Sequence, residues 1–120
     1  ATLPSVAQAP KLPVHVEFTT AGTRDLDAAI IRPENFSASK RYPVVLSVYA
    51  GPGSKMVHDT PTSYFDDQCL ANQGYIVVTL DGRGTPGRNH DFERAIKGNL
   101  IDLPLQDQID GLKALGKRHH

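Results

Sequence analysis

The chain is 120 residues long, with thirteen Lys+Arg against thirteen Asp+Glu and a formal charge of zero at pH 7. That length is one domain or part of one, and the charge balance removes the electrostatic reason to expect a nucleic-acid or membrane partner, because both need a positive excess. Hydrophobic content of 39% with 22% charged describes an ordinary globular chain, no apolar run approaches the ~18–20 residues of a membrane helix, and the single cysteine, Cys69, excludes an internal disulfide and a Cys-based zinc site.

Residues 1–12, ATLPSVAQAPKL, hold prolines and no periodic pattern, and read as an extended arm or linker ahead of a domain over 13–120. Val14 to Phe18 alternates as a half-buried strand should, with His15 on the outward register. Thr19 to Arg24 contains Gly22 and reads as a turn, and Leu26 to Ile31 returns as a second strand stopped by Arg32-Pro33, so the pair forms an antiparallel hairpin. Pro43 to Tyr49 is nearly continuous apolar sequence, the mark of a strand covered on both faces. Gly51-Pro52-Gly53 ends it. A helix is predicted between about Thr62 and Gln73, capped by Thr60 or Ser63, with Asp66 and Asp67 early, Cys69 as a small core residue and Gly74 as the stop.

Tyr75 to Leu80 is a second doubly covered strand, which makes strand, helix and strand a parallel, right-handed βαβ unit. The last helix starts near Asp102 with Pro104 in its first turn. Leu105, Ile109, Leu112 and Leu115 fall on one face, and Gly116 ends it. Gly111 in mid-helix costs ~1 kcal/mol against Ala, so it implies either a weak helix or a close packing partner.

Gly82-Arg83-Gly84-Thr85-Pro86-Gly87 matches G-x-G-x-x-G after a strand, with Asp102 downstream. Dinucleotide binding needs that loop to run straight into a helix whose N-terminus faces the pyrophosphate. Pro86 and the segment Arg88 to Asp91 do not read as such a helix, so a tight surface loop is the better reading. None of the histidines shows metal-ligand spacing; His58 and His90 lie in predicted loops, and His119-His120 are native or the start of a tag. No serine stands in G-x-S-x-G: Ser54 follows Gly53 but precedes Lys55 and Met56, and Ser5, Ser37, Ser39, Ser47 and Ser63 lack the frame. No nucleophile with a base partner is present. From its own surroundings Tyr49 reads as a strand-end tyrosine that packs.

Three stretches change that reading: YPVVLSVYAGPGS (42–54), NQGYIVVTLDGRGTPGRNHDFERAIKGNL (72–100) and DQIDGL (107–112). Together they resemble the prolyl oligopeptidase clan of serine peptidases, in its dipeptidyl-peptidase IV-like branch. The resemblance implies an α/β fold: a partial α/β-hydrolase in which an N-terminal antiparallel hairpin leads into a parallel βαβ unit and a further helix, without the nucleophile-elbow strand. In that clan a β-propeller precedes this region, and the strand carrying the nucleophile elbow, then the catalytic Asp and His, follow it. One functional residue carries over, Tyr49, similar to the tyrosine whose hydroxyl helps form the oxyanion hole. Lys55, where relatives often have Gln, the lack of any Trp, and Leu103-Pro104-Leu105 ahead of the Asp107-Gln108 pair depart from the pattern.

The resemblance implies a peptide substrate, X-Pro or X-Ala dipeptides as products, no cofactor and no metal, and a periplasmic or extracellular setting over a cytoplasmic one. The chain alone is expected to be inactive. It is also expected to self-associate, or to pair with a partner segment, along the strand edge Val44–Tyr49. The rivals are a nucleotide-binding domain using Gly82 to Gly87 and a non-catalytic binding or assembly module.

Overall fold

A computed structural model describes residues 11–118. The arm expected over 1–12 falls almost wholly outside the described residues, as do His119 and His120. Four strands form one sheet in the order β1-β2-β4-β3: β1 (Val16–Ala21), β2 (Leu26–Ile31), β3 (Val44–Ser47) and β4 (Ile76–Asp81). β1 and β2 are the expected hairpin, but β1 runs on through Thr19 and Thr20, whose branched side chains suit a pleated surface. Its turn is confined to residues 22–25, where Gly22 (φ +71°) and Asp25 (φ +49°) take the left-handed region. β2 pairs antiparallel with β4, and β4 pairs parallel with β3, as the βαβ reading expects.

The alternation along β2 and β4 produces two cores. Ala28, Ile30, Val78 and Leu80 face α3 (Asp102–Arg118), packing with Ala21 and Leu115. Ala29, Ile31 and Val77 face the opposite side, packing with Val57, Tyr64 and Ala71 of the α1 region. Because both faces of β2 and β4 are covered, these strands carry continuous apolar sequence. β3 does not fit the same expectation. It lies at the sheet edge, and Val44, Val48 and Tyr49 remain 43–52% exposed.

The first helix is shorter than predicted: one turn of 3₁₀ helix, Pro61–Tyr64, leads into α1, Phe65–Ala71. Neither Thr60 nor Ser63 caps it through its side chain, since Pro61 opens the 3₁₀ turn and Tyr64 occupies the α1 cap position. Gly74 (φ +101°) ends the segment as expected, with its N–H and that of Tyr75 donating to Ala71 O. Cys69 is exposed, contrary to the core position assigned to it. Tyr64, Gln68 and Ala71 occupy the inward stripe, at i, i+4 and i+7, which leaves Cys69 on the outer face. Gln68 belongs inside because its amide accepts from His15 N–H at 2.7 Å and donates to Arg32 O at 2.8 Å, fastening α1 to the hairpin.

The last helix starts at Asp102, as predicted, but continues past Gly116 to Arg118 and is rotated from the expected face. Its buried residues are Pro104, Asp107, Gln108, Gly111 and Leu115, whereas Leu105 and Ile109 are 54% and 37% exposed. Two polar side chains with dedicated partners go inside in place of two apolar ones. Gly111 resolves in favour of close packing, because a Cβ there would stand 2.9 Å from Leu80 Cδ1.

Candidate active site

Tyr49 lies just beyond the carboxyl end of β3, at the edge of the sheet where loops of open α/β folds carry their ligand sites. The β3–β4 ladder ends at Ser47, and the chain then curls around the Tyr49 ring. Its hydroxyl donates to Pro52 O at 3.2 Å, and a Cβ at Gly51 would sit 3.5 Å from the ring and hydroxyl. Gly53 (φ +90°) takes a backbone conformation that other residues adopt only with strain. Tyr49 is 43% exposed and its hydroxyl bond lies at the surface, so a carbonyl from outside can reach it. A phenolic hydroxyl has one proton to give, so Tyr49 must turn from Pro52 O to donate to anything else.

The limb returning from this loop is fastened by side chains. Asp81, the last residue of β4 and 3% exposed, accepts from Met56 N–H at 2.8 Å through one oxygen and from Val57 N–H at 2.9 Å through the other. Tyr64 accepts from His58 N–H at 2.8 Å and lies 3.1 Å from His58 O. Burial raises the Tyr64 pKa above the ordinary phenol range, against the lowering effect of its bond with His58 and with the negative charge of Asp81 adding to the rise, so the hydroxyl keeps its proton. Asp27 is the cross-strand partner of Asp81 in the β2–β4 register. Two carboxylates so placed repel, and each is compensated separately, Asp81 by the two amides and Asp27 by Lys55 Nζ at 2.6 Å.

The Gly82–Gly87 loop is filled by the protein itself. A Cβ at Gly84 would fall 2.3 Å from Ile96 Cδ1, and one at Gly82 would fall 3.0 Å from Asp107 Cβ. These glycines permit close packing. Arg83 forks onto Asp107 with Nη2–Oδ1 at 2.8 Å and Nε–Oδ2 at 2.9 Å, while Arg83 N–H donates to Oδ2 at 2.8 Å. The Asp107 side chain is fully buried, and the bond to it raises the Arg83 pKa further. Asn89 then caps a short helix, α2 (His90–Arg94), accepting from Phe92 N–H at 2.9 Å. The sequence reading placed no helix here and put His90 in a loop. The cap residue with Asp91 and Glu93 in the first turn was the available signal.

Among the described residues, the structure therefore gathers Tyr49, its glycine loop and a buried anchoring acid at one end of the parallel strands, and no described serine is bonded to a histidine. A mixed sheet covered on both faces, with a parallel edge strand leading to an exposed tyrosine, is an α/β arrangement.

The prolyl oligopeptidase family matches residues 61–120. The chain belongs to this family, in its dipeptidyl-peptidase IV-like branch. It is 39% identical over 107 residues to the protein named "Probable dipeptidyl-aminopeptidase B" of Coccidioides posadasii, covering 89% of this chain and 12% of that relative. The protein of the same name from Arthroderma otae is 41% identical over 105 residues, covering 88% and 11%. Among solved structures, Porphyromonas gingivalis dipeptidyl peptidase 4 superposes with a TM-score of 0.74 at 32% identity, covering 88% of this chain and 15% of that one. The chain thus spans about an eighth of the length of the curated relatives it matches.

Proposed function

We propose that this chain is the N-terminal part of the hydrolase domain of a longer dipeptidyl-peptidase IV-like serine peptidase, and that it supplies the oxyanion-hole strand and loop for hydrolysis of a peptide bond. The observation that carries the reading is Tyr49: a half-exposed phenol at the carboxyl end of β3, on a loop whose glycines keep bulk away from an incoming carbonyl. In acyl transfer the scissile carbonyl oxygen gains negative charge as the nucleophile adds, and a donor placed for that oxygen favours the transition state over the ground state. Tyr49 fills that role when its proton turns from Pro52 O to the oxyanion. Nucleophile, base and orienting acid come from sequence beyond this chain, and dipeptides with Pro or Ala in second place are the expected products.

The test is turnover of a fluorogenic Gly-Pro amide. The full-length protein is expected to release the dipeptide, and the 120-residue chain alone is expected to show no turnover. Activity of the pure chain that a serine-directed phosphonate blocks contradicts the assignment.

We further propose that the β3 edge, which has no partner strand among the described residues and leaves Val44 and Val48 about half exposed, pairs with a second copy when the chain is handled alone, because an unpaired apolar strand is a template for another. Sedimentation is expected to show dimers or larger species. A monomer at high concentration, with β3 amides protected from exchange on both sides, contradicts this.

A further inference from the structure

β3 stops at Ser47, and among the described residues no backbone–backbone bond outside helices and strands reaches Tyr49 to Val57. A loop in that position is placed by whatever holds its far end. Here the holder is a pair of side chains from different elements: Asp81 from β4 takes the N–H groups of Met56 and Val57, and Tyr64 holds the backbone of His58. Both are buried, at 3% and 2% exposure. The third tether, Lys55 to Asp27, joins two side chains that are each more than a third exposed, and exposed pairs of that kind hold little.

We infer that Asp81 and Tyr64 are positioning residues for the Tyr49 hydroxyl: together they hold the consecutive residues Met56, Val57 and His58 and so set where the loop beside the Tyr49 ring presents its donor. The inference rests on the oxyanion reading of Tyr49. The physical chain is short. Pro52 O accepts from the hydroxyl and Gly51 leaves open the space that a side chain would fill beside the ring, and both are carried by the segment whose return is fixed at Met56 and Val57. An Asp81 carboxylate offers an acceptor oxygen to each amide. An asparagine keeps one acceptor and turns an NH₂ toward the other N–H, setting donor against donor. The limb then shifts while the volume in the core stays nearly the same.

The experiment is a double-mutant cycle in the full-length peptidase, reading kcat and KM on a Gly-Pro amide for Tyr49→Phe, Asp81→Asn and the two combined. Asp81→Asn is expected to lower kcat by about tenfold or more, since small misplacements of a catalytic group can cost ~10²-fold, with little change in KM. In the Tyr49→Phe background the same substitution is expected to change kcat by less than about twofold, because the group being positioned is gone. A purely structural role predicts the same loss in both backgrounds, and that result overturns the inference; so does no loss in either. If Tyr49→Phe alone leaves kcat unchanged, the oxyanion reading fails and takes the clamp with it, an outcome distinct from the other two. Tyr64→Phe removes only the hydroxyl that holds His58 and should repeat the pattern, so it carries the test if Asp81→Asn does not fold.

Discussion

Tyr49→Phe in the full-length peptidase will lower kcat by ~10²–10³, about 2.7–4 kcal/mol at the barrier, the cost typical of a lost oxyanion donor. KM will move little. The substitution keeps the ring that Gly51 and Pro52 wrap and removes only the hydroxyl, so packing survives and the loss falls on the charge that develops in the transition state. Steady-state kinetics on an Xaa-Pro amide reads both constants. A kcat within about threefold of the parent would make Tyr49 the packing residue that its own surroundings first indicated.

The second large effect belongs to Arg83 and Asp107. Asp107 is fully buried and held through both oxygens by the Arg83 fork, with Arg24 Nη1 at 4.0 Å as the next nearest charge. Arg83→Met strands that carboxylate among buried groups, and breaking a buried pair from one side costs about 3–5 kcal/mol. Arg83→Met with Asp107→Asn removes both charges while an amide oxygen still accepts from Arg83 N–H, and should recover much of the loss, since the stranded charge is the main cost of breaking a buried pair from one side. Thermal unfolding of the full-length protein is expected to rank the parent and the double variant above Arg83→Met. Equal losses for the single and double variants would mean that shape, not the stranded charge, sets the cost.

How much of this was legible in the sequence depends on the kind of residue. β2 and β4 announce themselves because both of their faces are buried, and β2 begins and ends where the sequence reading placed it. β3 carries the same apolar signature, yet among the described residues it has one neighbour. Its composition fits a fully paired strand, and the described residues supply only half of the pairing.

The misreadings share a cause. Apolar periodicity weighs every polar residue as outward, so Leu105 and Ile109 are assigned to the core face of α3 and Cys69 to that of α1. Asp107, Gln108 and Gln68 overturn this because each meets a specific partner far away in sequence: Arg83, Leu80 O, and the backbone of His15 and Arg32. Those partners are invisible until the chain is folded. The same applies to the site. The resemblance points to Tyr49, whereas Asp81 lies just past the expected strand end at Leu80, attracts no reading from the sequence, and acquires its place only through the amides of Met56 and Val57.

The central claim is that Tyr49 donates to the oxyanion. Its most direct test is a crystal structure of the full-length peptidase carrying a covalent tetrahedral adduct on the nucleophile, such as that left by a dipeptide boronic acid. The account predicts the Tyr49 hydroxyl turned away from Pro52 O and within about 2.5–3.0 Å of the adduct oxygen that stands for the oxyanion. A Tyr49 hydroxyl still bonded to Pro52 O, with other groups alone holding that oxygen, would contradict it.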